Sequence, residues 1–187
     1  LTDRSRGKET TFEGLRLPMP GVHNVKNALA MVAIANELQI EEATLRAALT
    51  EFGGVKRRFT HTGTVGGVSI IDDYGHHPVE IASVLASARA IASGRVIAVF
   101  QPHRYSRVNC LFEDFCTAFN DADTVIVSDI YSAGESPLKG VHRDAIIEGL
   151  CAHGHRNVLA LEEPKALGPL VHDIVKKGDY VVCLGAG

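Results

Sequence analysis

The sequence predicts an α/β fold: a Rossmann-like, doubly wound, mostly parallel sheet with an N-terminal hairpin, preceded by a segment of one strand and two helices. Three observations carry that expectation. From about residue 58, short runs of almost purely apolar residues alternate with stretches of helical period. Turn residues bound the runs, and a single helix joins each run to the next. Strands of that kind are buried on both faces, which is the environment of a parallel sheet covered by helices.

The elements follow in order. In residues 1–57 a strand-like TTFEGLRLP leads to Pro20-Gly21, and His23 to Ala35 is an apolar run of good helix formers, expected to be well buried. A second helix over about 41–52 sets Leu45, Ala48, Leu49 and Phe52 on one face and ends at Gly53-Gly54. Thr60–Val65 and Val68–Ile71 read as a hairpin closed around Gly66-Gly67. Pro78 takes the first position of a helix that runs to about Ser93. There follow the strand Val96–Phe100, a helix over 109–120, a strand centred on Val125–Val127, and a helix over 142–152. The strand Val158–Leu161, a helix over 165–176 and the strand Tyr180–Leu184 complete the pattern. The domains expected are 1–57, a remnant of a larger domain, and 58–187.

Composition narrows the function. With 187 residues, 45% hydrophobic and 22% charged, the chain suits one domain plus a piece of another and excludes a disordered or coiled-coil protein. No apolar run approaches the ~20 residues that span a bilayer, and the first residues lack the apolar core of a signal peptide, so a cytoplasmic protein is expected. A net charge of -3 with interspersed signs gives no footprint for nucleic acid or an anionic membrane. Cys110, Cys116, Cys151 and Cys183 lie in apolar stretches without CxxC spacing, which suggests buried free thiols rather than disulfides or zinc ligands. Leu1 and Gly187 both read as cut ends.

Ligands of open α/β sheets bind beyond the carboxyl ends of the strands. There the sequence places Asp72-Asp73-Tyr74-Gly75-His76-His77-Pro78, then Gln101-Pro102-His103-Arg104-Tyr105-Ser106-Arg107, then Asp129-Ile130-Tyr131-Ser132-Ala133-Gly134-Glu135. An edge with these arginines, carboxylates and imidazoles suits an anionic ligand. Each piece also has a plain alternative: Asp72-Asp73 as a strand-end turn, His76-His77 as a helix cap, Arg104 and Arg107 as a solvated turn. Cys151-Ala152-His153-Gly154-His155 sits at a helix end on the opposite edge with no second ligand cluster, so no metal is assigned to it. No GxxxxGK[ST] loop occurs, and Gly185-Ala186-Gly187 is an incomplete dinucleotide fingerprint.

Five motifs in this order, GVHNVKNALA, FGGVKRRF, DDYGHHPVEI, QPHRYSR and Tyr131 to Glu135, make the whole chain resemble the latter part of the Mur ligase family. The resemblance implies that 1–57 is a partial ATPase-domain segment, the end of the family's central ATP-binding domain, and 58–187 its C-terminal Rossmann-like domain. The resemblance implies part of an ATP- and Mg2+-dependent ligase that joins L-alanine to UDP-N-acetylmuramate through an acyl phosphate in peptidoglycan biosynthesis. Matched motif by motif, it implies that Asn24 and Asn27 face the nucleotide, and that Arg58 and Asp73 serve both nucleotide binding and catalysis. It implies that Tyr74, His76, His103, Arg104 and Arg107 form the amino-acid site. The family's phosphate loop, magnesium-binding glutamate and UDP-binding domain have no counterpart in these residues, so the chain alone is expected to be inactive. A murein peptide ligase that recycles a tripeptide, and a stand-alone nucleotide- or anion-binding Rossmann module, stay as alternatives.

Overall fold

The structure, a computed structural model, describes residues 2–3 and 10–186. They divide into two compact units, Leu1–Val55 and Lys56–Gly187.

In the first unit, β1 (Thr2–Asp3) pairs antiparallel with β2 (Thr10–Thr11). The strand expected over TTFEGLRLP is thus only two residues long; beyond it the chain is irregular and buries Phe12, with Leu15 and Leu17 against the same cluster. Gly21, at φ 100°, adopts a backbone conformation that side chains rarely take and sets the chain's entry into α1 (Val22–Glu37). After α2 (Glu42–Glu51), whose Leu45 and Leu49 are buried as their spacing requires, the core consists of Phe12, Val32, Ala35, Leu45 and Leu49. Burial of α1 is the expectation that fails. Asn24, Val32 and Ala35 are its buried residues, whereas Val22, Val25, Leu29, Met31 and Ile34 are exposed. Apolar residues surround this helix, and a single partner helix can cover only one stripe of it.

The second unit is a six-stranded sheet in the order β3-β4-β8-β5-β6-β7. The hairpin β3 (Thr60–Val65) and β4 (Val68–Asp73) is antiparallel, and every other pairing is parallel. α3 (Pro78–Ile91) starts with His77 as its cap, Pro78 in the first turn and Glu80 closing the capping box. β5 (Val96–Phe100) is buried at every residue. The single helix expected over 109–120 is two, α4 (Tyr105–Cys110) and α5 (Phe112–Thr117), because Leu111 leaves helical geometry at φ -119° and ψ 25°. β6 (Thr124–Val127), α6 (Arg143–Ala152) and β7 (Val158–Ala160) follow. The last helical stretch is a short 3-10 turn, Pro164–Ala166, running into α7 (Leu167–Ile174), and β8 (Tyr180–Leu184) ends the sheet.

Helices cover both faces. Ile81 and Leu85 of α3, Phe115 of α5 and its neighbour Phe119, and Ile146 and Leu150 of α6 pack with Phe100 and Val182 on one side. Phe100 meets the rings of Phe115 and Phe119 at 5.5 and 5.1 Å. On the other side, α7 lays Leu167, Leu170, Val171 and Ile174 over Ile97, Val99, Ile126 and Val181. Each large side chain buried in this way contributes about 1.5–3 kcal/mol. Among the cysteines only Cys116 is buried; Cys183 is half-buried, and Cys110 and Cys151, in the last turns of α4 and α6, are exposed. Apolar neighbours in sequence therefore misplace two of the four thiols, because a helix turns some positions outward whatever their flanks. Among the described residues, no helix is long and apolar enough to cross a membrane.

The amino edge of the sheet is clamped by a carboxylate. Asp179 is only 2% exposed. Its Oδ1 accepts the Arg95 N–H at 2.9 Å, and its Oδ2 accepts the Lys176 N–H at 2.8 Å and the Arg95 guanidinium at 2.6 Å. Burial pushes its pKa up, but the Arg95 side chain and these N–H groups outweigh burial and hold it below the usual carboxylate range. A depressed folded pKa stabilises above the unfolded value and is lost as pH falls through the folded one. Asp179→Ala is therefore expected to lower stability by roughly 2–4 kcal/mol at pH 7. The loss, measured by urea unfolding, should shrink as the pH drops below the ordinary carboxylate pKa.

Candidate functional site at the carboxyl edge of the sheet

The carboxyl ends of β4, β5 and β6 bring together the three polar loops that the sequence places there. The rings of His76 and His103 lie 6.0 Å apart, Tyr131 stacks on His103 at 5.3 Å, and Tyr74 meets His76 edge-on at 5.2 Å. Between the first two loops β8 ends, with Leu184 O accepting the Gln101 N–H and the Gly185 N–H reaching Asp73 O. A side chain on residue 185 would press against Gln101, its Cβ 3.3 Å from the Gln101 carbonyl oxygen, so glycine lets the strand finish inside this crevice.

Asp73 is buried, and both of its oxygens accept backbone N–H groups at 2.7 Å, from Phe59 and from Gly75. It ties the start of the second unit to the loop that carries His76. Beside it, Arg57 donates from Nη2 to Gly185 O at 2.6 Å, sets Nε 3.5 Å from Asp72, and lies 5.0 Å over the Tyr74 ring. Arg58, the arginine singled out from sequence, is exposed, and its charge acts on Glu80. Arg57, which the sequence reading did not single out, is the guanidinium of this run that reaches the end of β8. The run Lys56-Arg57-Arg58 hints at a basic turn, but only the backbone, with Arg57 at φ 58°, decides which guanidinium reaches the sheet.

Hydrogen-bond partners settle what each imidazole offers. His76 Nδ1 lies 2.9 Å from the Tyr74 carbonyl, which can only accept, so the proton sits on Nδ1 and the neutral ring presents Nε2 as an acceptor. His103 Nδ1 lies 3.2 Å from Arg107 Nη1, which can only donate, so this ring presents Nε2–H as a donor. Arg107 also donates to the His103 carbonyl at 3.2 Å. Burial, then the charges of Arg107, His76 and Arg104, push the His103 pKa below the ordinary imidazole value against the opposing pull of Glu135. Glu80 accepts the backbone N–H groups of His76 and His77, each at 3.2 Å; these bonds and the neighbouring cations overcome burial and keep it ionised.

The remaining candidates separate. His77 caps α3, the plain alternative for that histidine. Asn24 and Asn27 belong to α1 of the first unit. Asn24 is buried with its amide donating to Pro20 O at 2.7 Å, and Asn27 is exposed. His153 pairs with Glu113 at 3.2 Å, and His155 faces the Ala122 carbonyl. Among the described residues no group of three His, Cys, Asp or Glu side chains could hold a metal ion. What the edge can do is grip a zwitterion: guanidinium and Nε2–H donors suit a carboxylate, and the His76 lone pair suits an ammonium group.

The fold defines a Rossmann-like domain whose carboxyl edge gathers arginine, imidazole and carboxylate side chains. Residues 57–187 match the family described as Mur ligase, glutamate ligase domain, and the chain belongs to the Mur ligase family. It is 63% identical over 186 residues to the UDP-N-acetylmuramate–L-alanine ligase of Nitrobacter winogradskyi, covering 98% of this chain and 40% of that protein. Against the same-named ligase of Rhodospirillum rubrum it is 59% identical over 187 residues, which is 100% of this chain and 39% of that protein. The crystal structure of the UDP-N-acetylmuramate–alanine ligase MurC of Thermotoga maritima superposes with a TM-score of 0.77 at 31% identity, over 94% of this chain and 37% of that one. A murein peptide ligase of Psychrobacter arcticus shares the fold, with a TM-score of 0.64 at 24% identity over 92% of this chain and 36% of that one. The chain spans about 40% of the length of the curated relatives it matches.

His103 should remain neutral at pH 7 and titrate below the ordinary imidazole pKa in an NMR pH series. Arg107→Ala should move that titration back upward.

Proposed function

We propose that this chain is the amino-acid-handling part of an ATP-dependent ligase that joins L-alanine to UDP-N-acetylmuramate in peptidoglycan biosynthesis. The observation that carries the proposal is the meeting of His76, His103, Arg104 and Arg107 at one sheet edge, in a chain about 60% identical to ligases of that name. Arg104, Arg107 and the His103 Nε2–H hold the alanine carboxylate, with Tyr74 beside them. His76 Nε2 faces the amino group and accepts a proton from it. The amine attacks the acyl-phosphate carbon, a C–N bond forms, the C–O bond to phosphate breaks, and inorganic phosphate leaves with the second proton lost from the nitrogen. Holding both ends of the amino acid in place supplies much of the acceleration, since an amine is already a competent nucleophile.

Asn24, Asn27, Arg58 and Asp73 are the residues proposed to serve the nucleotide side, on the strength of their motifs. The phosphoryl group of the acyl phosphate comes from ATP as a substrate. The described residues offer no cluster for Mg2+, and no step through it is assigned to them. The protein then works in the cytoplasm, where ATP and nucleotide sugars are made.

The full-length protein should release phosphate only with ATP, UDP-N-acetylmuramate and L-alanine together. Preference for L-alanyl-γ-D-glutamyl-diaminopimelate over L-alanine would turn the assignment toward a murein peptide ligase. Arg107→Ala should raise the KM for L-alanine about 10- to 100-fold, the loss of a charge-assisted bond to carboxylate, and leave the KM for ATP unchanged. The 187-residue chain, which contains no GxxxxGK[ST] loop, should release no phosphate on its own.

A further inference from the structure

The loop after β6 meets the amino-acid site through two side chains to which no role has been given above. We propose that Tyr131 and Glu135 are positioning residues: they hold the His103 ring and the first turn of α4 so that Arg104, Arg107 and the His103 Nε2–H donate toward one ligand carboxylate. This rests on the amino-acid role proposed for the site.

The backbone supplies the frame. Past the ends of β5 and β6 an isolated parallel bridge joins His103 to Tyr131, with the Arg104 N–H on Tyr131 O and the Tyr131 N–H on Pro102 O, both at 2.8 Å. The side chains complete it. The Tyr131 ring lies nearly parallel to His103, with an interplanar angle of 23°, and His76 is the other ring neighbour of that imidazole. Tyr131 therefore limits how far His103 can turn away from Arg107.

Glu135 fixes the arginines through the residue between them. Its Oε2 accepts the Ser106 N–H at 2.9 Å, and its Oε1 accepts the Ser106 hydroxyl at 2.7 Å. α4 is only six residues long, and Arg104, at its N-cap, provides no side-chain cap. The carboxylate from the neighbouring loop fills that place, and its negative charge suits the exposed N–H groups there. With the helix end already occupied, the guanidiniums and the imidazole are what remain for a ligand. Arg104 adopts φ 71°, a conformation that side chains rarely take, and it is held there between a bridged His103 and a tethered Ser106. Hydrogen bonds from Ser106 keep Glu135 ionised, below the usual carboxylate range. Tyr131 is 49% exposed, so core packing does not explain its placement.

The test uses four variants of the full-length protein. Glu135→Ala and Tyr131→Ala should raise the KM for the amino acid at least ~10-fold, with the KM for ATP and for the nucleotide sugar moving less than ~2-fold. Glu135→Gln keeps an acceptor for Ser106 and Tyr131→Phe keeps the stack, so both should stay within ~3-fold of wild type. An unchanged amino-acid KM in the alanine variants, an equal rise for all three substrates, or no rescue by Gln and Phe overturns the proposal. Wild-type turnover with L-alanine is the control for the underlying function, and its absence sinks that assignment alone. The positioning role is then decided by the His103 imidazole resonances of the 187-residue chain. Tyr131→Ala and Glu135→Ala should shift them while Tyr131→Phe and Glu135→Gln hold them near wild type; unshifted resonances in the alanine variants overturn the role.

Discussion

Everything at the carboxyl edge depends on the insertion of β8 between β4 and β5. Those two strands are consecutive elements joined through α3, yet they do not pair; the chain returns from the far side of the sheet to fill the gap. A parallel strand buried on both faces must satisfy its N–H and C=O groups on both edges. β8 does so in matched register, with Val182 opposite Ile71 on one side and Ala98 on the other. The ends therefore align, Leu184 standing between Asp73 and Phe100. Beyond that line the β4 and β5 loops diverge around Gly185, and the crevice they leave is where His76 and His103 meet.

Charge is placed to suit both ends of this arrangement. At the amino edge, Asp179 with Arg95, and Asp123 with Arg89 and the Val96 N–H, bind strand starts to the loops beneath them. At the carboxyl edge the carboxylates mostly face backbone: Asp73 bridges Phe59 and Gly75, Glu80 collects His76 and His77, and Glu135 takes Ser106. These anions hold the loops that carry the arginine and imidazole side chains. In the proposed function the division has a physical logic, because a carboxylate beside that of the amino acid would repel it.

Much of this was legible in residues alone. Val96–Phe100 and Tyr180–Leu184 fall where their apolar runs put them, and Pro78 opens α3 because a proline ring suits the first turn of a helix. The meeting of the three loops also followed from strand-helix alternation, since parallel strands send all their carboxyl ends to one edge. Other features were not. The stretch 109–120 has helical composition throughout, but the chain breaks at Leu111 and starts a helix at Tyr105, where Glu135 from another loop supports the turn. The apolar run of α1 says that the helix is hydrophobic, not that a partner covers it.

The sequence by itself determined the α/β class, the positions of the sheet strands of the second unit, the start of α3 at Pro78 and the residue types at the carboxyl edge. Those properties come from period, turn chemistry and side-chain type, which act over a few neighbouring residues. Only the tertiary structure decided the strand order, the choice of Arg57 over Arg58 at the sheet, the opposite tautomers of His76 and His103, and the tethering of Ser106 by Glu135. Each of these is set by a partner brought in by the fold or by a backbone angle that the fold imposes, and no local pattern records either.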